Sequence, residues 1–301
     1  MKKGKKLKQG MAVPLWLKQS LRVIEGISPE LGMRVAAHIF SKPLKFKLPE
    51  NERIALAHCL QAWVTVPEIN ETIMCFEWKN EGEKVLLAHG WSGRGTQLYA
   101  IAVSLHKKGY HVIAFDAPAH GKSTGKITNM LQWSAAIKAL NNHYGAFDIY
   151  IGHSLGSMAI LKYCEQVSEV KKIITIGSGD LMCTIFDSFI MSVGLTPKTS
   201  ERMKTYFEDK YKIKINAYDA SHVVRQQQTP TLIIHDEDDR DIDVSCAKNI
   251  HKQHPNATLM ITKGLGHRRI LRDEKVIHKI ISFIQTPVSY THLTLPTIAG
   301  V

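Results

Sequence analysis

A serine lies between two glycines in "GHSLG", residues Gly152 to Gly156, which matches G-x-S-x-G. The apolar run "FDIYI" predicts a strand directly before this motif, and "SMAILKYCEQV" predicts a helix directly after it. In such a turn, glycines two residues either side of the serine let the strand and the helix pack closely. The serine hydroxyl is then raised above the sheet. Ser154 is therefore the candidate nucleophile, and attack on a carbonyl carbon is the chemistry it favours.

A serine hydroxyl is a weak nucleophile, so a histidine base and an orienting carboxylate must come from elsewhere in the chain. "LIIHDEDDRDID" places a run of acids at the end of a predicted strand, and "TKGLGHRRIL" places His267 in a glycine-rich loop after the next strand. The order along the chain is therefore Ser, Asp, His. The acid run also resembles a calcium loop, but it lacks the turn glycine and the glutamate at the twelfth position.

The segments "HGW", "DAPAHG", "GHSLG", "HDEDD" and "GLGHRRIL" make residues 62–286 resemble the α/β-hydrolase superfamily, in particular bacterial serine hydrolases of the esterase type. The resemblance implies Ser154 as nucleophile and His267 as general base and then general acid. It also implies Asp239 as the carboxylate that orients His267.

The choice of acid depends on how the family pattern is aligned. The family places the acid three residues after the turn residue at the strand end, which is Asp236 here and selects Asp239. Because the family usually has glycine at that turn position, the alignment could shift by one residue. Asp238 is therefore the alternative acid.

Two backbone N–H groups must stabilise the oxyanion that forms during acyl transfer. One is expected from Leu155, the residue after the nucleophile, and the other from the loop after the predicted strand "KVLLAHG". Within that loop, "HGWSGRG", Trp91 is the best candidate for the second donor.

Other motifs are predicted to be structural. "HGKST" resembles the end of a phosphate loop, but Asp116 stands where a glycine is required, so nucleotide binding is disfavoured. Asp116 and His120 are expected to organise the turn after a strand, and His153 to be a structural neighbour of the serine. The remaining histidines show no paired ligand spacing, so neither a metal nor another cofactor is expected.

The pattern of predicted elements indicates an α/β fold with a mostly parallel central sheet flanked by helices. Residues 1–61 are predicted to form an N-terminal helical extension, with "PENERIALAHCLQAW" as its third helix. Residues 62–286 form the predicted α/β-hydrolase domain. Residues 180–229 are mostly helical and amphipathic, which is typical of a cap inserted over the site.

Large apolar side chains in the predicted cap could line a pocket for the acyl or alcohol group of a substrate. The residues that we single out are Met182, Phe186, Phe189 and Met191. The alternative is that this helix face packs on the edge of the sheet. The sequence favours neither.

The charge distribution and the cysteines limit the partners and the compartment. The net charge is +12, but five lysines crowd the first eight residues: Lys2, Lys3, Lys5, Lys6 and Lys8. No zinc-finger spacing or Arg/aromatic stripe supports nucleic-acid binding, whereas a basic start allows weak association with a membrane surface. The five cysteines lack C-x-x-C spacing, and no apolar run suits a transmembrane helix, so free thiols and a cytoplasmic location are expected.

The end of the chain, "TPVSYTHLTLPTIAGV", can be back-translated into a string that resembles a transposase mosaic end and sequencing adaptor. Residues 287–301 are therefore predicted to be read-through that does not belong to the fold. The alternative is a natural irregular tail.

These features predict a serine hydrolase that cleaves a small-molecule carboxylic ester, or else a thioester or amide. An acyltransferase or a carbon–carbon bond hydrolase could use the same three residues. A non-enzymatic membrane-surface or partner-binding module, using the lysine-rich start and "PLWLKQSL", is the third alternative. The oligomeric state is left open.

Overall fold

The computed structural model describes residues 13–167 and 169–287. The lysine-rich start and the tail from residue 288 onwards lie outside the described residues, so the predictions made for them stay predictions.

A single eight-stranded sheet organises the described chain, with the strand order β1-β2-β4-β3-β5-β6-β7-β8. The strands are β1 (Leu60–Val66), β2 (Glu71–Trp78), β3 (Lys84–Ala88), β4 (His111–Phe115), β5 (Ile149–His153), β6 (Lys172–Ile176), β7 (Thr231–Asp236) and β8 (Ala257–Thr262). β2 runs antiparallel to both of its neighbours, and the pairs from β4 to β8 are parallel. The predicted mostly parallel sheet is confirmed.

The central strands are apolar on both faces because helices cover both sides of the sheet. In β3, Leu86 faces one hydrophobic core, while Val85 and Leu87 face the other. On the first side lie α5 (Met130–Tyr144), α6 (Leu155–Cys164), α9 (Ala220–Val223) and α10 (Ser245–Gln253). On the second side lie α4 (Tyr99–His106) and α12 (Glu274–Gln285).

The remaining helices lie in the N-terminal extension, in the cap and in the loop after β8. They are α1 (Leu15–Ile27), α2 (Pro29–Ser41), α3 (Glu50–Leu56), α7 (Met182–Ser192), α8 (Pro197–Tyr211) and α11 (Gly266–Arg269). Short 3₁₀ turns occur at Pro67–Ile69, Gly95–Leu98, Ile215–Tyr218, Val224–Gln226 and Ile270–Arg272. Within the described ranges, each helix is too short or too polar to cross a bilayer.

The N-terminal helices and the cap form one helical layer. The Phe40 ring at the end of α2 packs against Phe186 and Phe189 of α7, with centroid distances of 4.8 and 5.0 Å. The Arg22 Nε of α1 donates a hydrogen bond of 2.8 Å to the carbonyl of Gly194, between α7 and α8. Helices α1 and α2 of the predicted extension are therefore part of the cap layer, whereas α3 contacts α4 through the Asn51–Tyr99 hydrogen bond.

The third predicted helix is wrong over its second half. The helix α3 ends at Leu56, and β1 begins at Leu60 and pairs antiparallel with β2, from Leu60 opposite Glu77 to Val66 opposite Glu71. The stretch "LQAWVTV" forms a strand because it pairs with β2 at the edge of the sheet. Local helical spacing does not reveal this pairing. The predicted boundary at residue 61 therefore falls inside β1.

Candidate active site

Ser154 occupies a sharp turn between β5 and α6. Its backbone has φ 54° and ψ −120°, a strained conformation for a residue other than glycine. The Ser154 N–H donates to the carbonyl of Ile176 at 2.9 Å, and the Ser154 carbonyl accepts from the Ser157 N–H at 3.0 Å. The turn is thus tied to the end of β6 and to the first turn of α6.

The two glycines of the motif allow this close packing. A Cβ on Gly156 would lie 2.3 Å from the carbonyl oxygen of His89, and a Cβ on Gly152 would lie 2.5 Å from the Ser157 backbone nitrogen. Both distances are far shorter than real carbon contacts. The glycine spacing predicted from the sequence therefore has a direct steric reason.

His267 and Asp239 form a buried hydrogen-bonded pair. The His267 Nδ1 lies 2.7 Å from the Asp239 Oδ2, and the two side chains are 11% and 1% exposed. The other carboxylate oxygen of Asp239 accepts from the N–H groups of Asp241 and Ile242 at 2.8 and 3.0 Å. Burial raises the pKa of Asp239, but the His267 and backbone hydrogen bonds outweigh it, so the pKa lies below its ordinary value.

Asp238, the alternative acid, makes its hydrogen bond to a different part of the chain from His267. Its Oδ2 accepts a hydrogen bond of 3.1 Å from the Gly264 N–H, and it lies at the surface. Of the two candidates, the structure brings Asp239 to His267. Gly177, just after β6, leaves the space for this pair, since a Cβ there would lie 3.2 Å from the His267 Nδ1.

Asp236 is a site residue whose role the sequence reasoning missed. Its buried carboxylate accepts hydrogen bonds from the N–H groups of Asp238, Leu265 and Gly266 at 3.0, 3.0 and 2.9 Å, and from the Thr262 hydroxyl at 2.7 Å. Burial raises the pKa of this carboxyl, but these donors outweigh it and lower the pKa. Asp236 therefore joins the loop after β7, which carries Asp239 (the acid loop), to the loop after β8, which carries His267 (the base loop). The sequence shows only a charged residue at the end of the strand "TLIIHD", which does not reveal the partners of its carboxylate.

His153 connects the base loop to the serine turn. Its Nε2 lies 2.9 Å from the His267 carbonyl oxygen, so this nitrogen carries the proton, and the two rings are 4.6 Å apart at their centroids. Burial, assisted by the nearby His267, lowers the pKa of His153 to about 3. A neutral His153, which directly precedes Ser154 in the chain, thus holds the backbone of His267.

The loop after β3 passes directly over Ser154. A Cβ on Gly90 would lie 2.9 Å from the Ser154 Cβ, so the backbone at Gly90 and Trp91 borders the serine. Within residues 13–167 and 169–287, neither the Trp91 N–H nor the Leu155 N–H donates a hydrogen bond. Both predicted oxyanion donors are therefore unengaged beside the candidate nucleophile.

Two buried histidines hold this loop in place. The His89 Nδ1 donates to the Gly90 carbonyl at 2.7 Å, while its Nε2 accepts from the Ala117 N–H at 3.0 Å. The His120 Nε2 accepts from the Ser92 N–H at 3.0 Å, and its Nδ1 donates to Pro118 at 3.0 Å. Each neutral ring thus donates to one carbonyl and accepts from one N–H group. Both rings must therefore carry their proton on Nδ1.

The surroundings keep these rings neutral. Burial lowers the pKa of His120 to about 4, and it lowers that of His89 well below the ordinary value, assisted by the nearby His120. Asp116 supports the same region by accepting from the Gly95 and Lys122 N–H groups, both at 2.8 Å. The structural roles predicted for Asp116 and His120 are confirmed.

The cap residues predicted to line a pocket are placed differently from one another. Phe186 and Phe189 pack on Phe40, and Met182 is buried. Met191 points to solvent and is 70% exposed, so its assignment to an enclosed pocket is wrong. For Phe186 and Phe189, the structure favours packing, although the partner is the N-terminal α2 and not the sheet edge.

The last feature of the site is the arrangement of the side chains that could bind a metal ion. Within residues 13–167 and 169–287, no three His, Cys, Asp or Glu side chains are grouped so that they could hold a metal ion. The cysteines are free, with Cys75 and Cys164 buried and Cys183 exposed.

The chain matches known proteins in sequence and in fold. Residues 84–193, which include the serine turn and the loop after β3, match the family model described as "alpha/beta hydrolase fold". The esterase Pf2001 of Pyrococcus furiosus superposes with a TM-score of 0.62 at 19% identity, covering 81% of this chain and 97% of that one. The chain therefore has the α/β-hydrolase fold, and its residues 84–193 match the family of that name.

Two curated proteins are similar to the chain in sequence. It is 22% identical over 257 residues to the alpha/beta hydrolase domain-containing protein aho-3 of Caenorhabditis elegans, covering 82% of this chain and 71% of that protein. It is 34% identical over 95 residues to (E)-2-((N-methylformamido)methylene)succinate hydrolase of Acinetobacter baylyi, covering 30% of this chain and 34% of that protein. The second match therefore spans about a third of the relative.

Proposed function

We propose that this α/β hydrolase is a serine hydrolase that cleaves a carboxylic ester through an acyl-enzyme on Ser154. The observation that carries the proposal is the His267–Asp239 pair, 2.7 Å apart, held by His153 beside a serine with φ 54°. The name of one structural neighbour, an esterase, agrees with this reaction.

In the acylation step, the Ser154 oxygen bonds to the ester carbonyl carbon while its proton passes to the His267 Nε2. Asp239 accepts a hydrogen bond from the Nδ1–H of His267, which leaves Nε2 free as a base and stabilises the imidazolium that forms. Because the pKa of Asp239 is lowered, this carboxylate stays ionised at neutral pH. The proton then passes from His267 to the departing alkoxide, and the alcohol leaves.

The negative charge of the tetrahedral intermediate needs donors that are already aimed at it. The unengaged N–H groups of Leu155 and Trp91 would supply two hydrogen bonds. The positive end of α6, which begins at Leu155, adds to the same field. Removal of one such donor costs about 2.7–4 kcal/mol of transition-state stabilisation in comparable sites.

In the deacylation step, water replaces the alcohol. His267 takes a proton from water, the hydroxide adds to the acyl carbon, and the bond to Ser154 breaks as its oxygen regains the proton. An alcohol or an amine in place of water would give acyl transfer. Competing alcohols during steady-state turnover therefore separate the hydrolase from the acyltransferase alternative.

Labelling with a fluorophosphonate probe tests the proposal. We expect labelling of the wild type and none of Ser154→Ala, whereas Ser157→Ala, which removes a nearby hydroxyl of the same helix, keeps its label. Labelling that persists in Ser154→Ala would show that another serine reacts. A panel of p-nitrophenyl esters of increasing chain length would then define the acyl group.

A further inference from the structure

The outer face of α1 carries large apolar side chains that nothing in the described chain covers. Trp16, Val23 and Ile27 are spaced by seven and four residues, so they share one face of the helix, and they are 67%, 61% and 80% exposed. Exposed apolar side chains that line up in this way mark an interaction surface.

The opposite face of α1 is already occupied. Leu21 is buried against the helical layer, and Leu17 packs on the same core. The polar contacts of this face reach the cap, where Glu25 accepts from the Thr196 hydroxyl at 2.8 Å. A helix that is apolar on both sides, with one side packed, needs a second partner for the other.

The sequence before this helix is basic. Lysine fills five of the first eight positions, and the first acidic residue of the chain is Glu25. The chain up to and including most of this helix therefore carries only positive charges. If a second copy of this chain docked on this face, its lysine-rich start would come close to the lysine-rich start of the first copy, and the like charges would repel.

We propose that this face of α1 docks on the surface of an anionic phospholipid bilayer. Trp16, Val23 and Ile27 would enter the boundary between headgroups and acyl chains, as in helices that lie in the membrane interface. The preceding lysines would bind the anionic headgroups, each lysine near the surface contributing about a fivefold increase in partitioning. Neither contribution alone gives stable binding.

This docking would bring the cap to the lipid. Because α1 bonds to the loop between α7 and α8 through Arg22 and Glu25, the cap layer follows the helix to the surface. The proposal concerns binding and does not depend on the proposed reaction. A catalytically inactive Ser154→Ala chain would bind equally well.

Sedimentation of the full chain with vesicles tests the proposal. We expect binding to phosphatidylcholine vesicles that contain phosphatidylserine, little binding to phosphatidylcholine alone, and release as the salt concentration rises. The Trp16 emission should shift to the blue, measured as the difference between the wild type and Trp16→Phe.

Matched variants distinguish binding through this face of α1 from binding through any exposed apolar side chains. The test variant is Trp16→Gln/Val23→Gln/Ile27→Gln, and the control is Ile54→Gln/Leu60→Gln/Trp63→Gln, whose three side chains are 57%, 58% and 53% exposed. Binding should fall about tenfold or more in the test variant and less than about threefold in the control. Thermal unfolding checks that both variants fold.

A second pair of variants tests the charge. Five lysine-to-glutamine changes at positions 2, 3, 5, 6 and 8 should weaken binding by about tenfold or more. The same change at five other exposed lysines, Lys79, Lys107, Lys108, Lys275 and Lys279, should not, although the net charge falls equally. Unchanged binding in the outer-face variant would overturn the proposal. Equal binding to neutral vesicles would also overturn it, as would self-association that this variant abolishes.

Discussion

The two sides of the candidate site are held in place by different chemistry. On the oxyanion side, the neutral rings of His89 and His120 each bind one carbonyl or turn oxygen and one N–H. On the acid–base side, Asp236 and Asp239 collect N–H and hydroxyl donors.

The difference follows from what each loop presents. The turn after β3 offers both carbonyls and N–H groups, and a neutral imidazole can satisfy one of each. The loops after β7 and β8 direct N–H groups inward, and an ionised carboxylate can accept several of them at once. Burial favours the neutral form on both sides: it keeps the histidines neutral, whereas the donors around the aspartates outweigh it and keep these carboxylates ionised.

The largest expected effect comes from the acid–base side. Asp239→Asn should lower kcat for ester hydrolysis by about 10⁴-fold, because the amide cannot hold His267 in the required tautomer. Steady-state kinetics measures this. Asp238→Asn is the matched control and should stay within about threefold of wild type. Equal losses in both variants would mean that the pair at 2.7 Å is not the working one.

Asp236→Asn should destabilise the protein by about 3 kcal/mol, measured by urea unfolding. The change removes the charge that four donors surround and leaves buried N–H groups without a full partner. Glu237→Gln, in the same turn as Asp236, breaks an exposed ion pair with Lys263 and should leave the stability nearly unchanged. An Asp236→Asn protein as stable as wild type would contradict the assigned role.

His153 links the two sides, so its replacement should affect catalysis more than substrate binding. His153→Leu should lower kcat by about 30-fold, roughly 2 kcal/mol, with little change in KM, since the His267 carbonyl loses its donor. His153→Gln retains an N–H near the position of Nε2 and should recover most of the activity. If both variants are equally impaired, the hydrogen bond is not what positions His267.

The smallest predicted effect, taken per pH unit, is a change in the pH dependence of stability. The pKa of His120 is about 4 in the folded protein, against about 6.5 when unfolded. Between these values the unfolded chain binds the extra proton, so stability falls as the pH falls, by about 1.4 kcal/mol per pH unit.

His120→Gln should remove this contribution to the slope, measured by urea unfolding at several pH values. His38→Gln, at an exposed histidine of α2, should leave the slope unchanged. The carboxylates behave differently: their lowered pKa values keep their contribution intact until the pH falls below about 3.9. Acid should therefore act first through the buried neutral histidines and only below about pH 3.9 through these carboxylates, and an identical slope in His120→Gln would disprove this order.

Much of the site was predictable because Ser154 and His267 lie in short motifs that can be identified in the sequence. The glycines around Ser154 have a local steric purpose, and the glycine-rich loop around His267 marks a turn at a strand end. The role of Asp236 was not predictable, because its four donors come from residues up to 30 positions away in the chain. Likewise, "LQAW" was predicted as the end of a helix, and its pairing with β2 makes it a strand.

By itself, the sequence determined the parallel sheet, the residue types that carry the chemistry and their order along the chain. Those features depend on local spacing and on the alternation of apolar runs. Only the tertiary structure decided that Asp239 and not Asp238 meets His267, and that Phe40 joins the N-terminal helices to the cap. The physical reason is that each of these contacts joins residues far apart in the chain, and only the packed fold sets which atoms come within hydrogen-bonding or van der Waals distance.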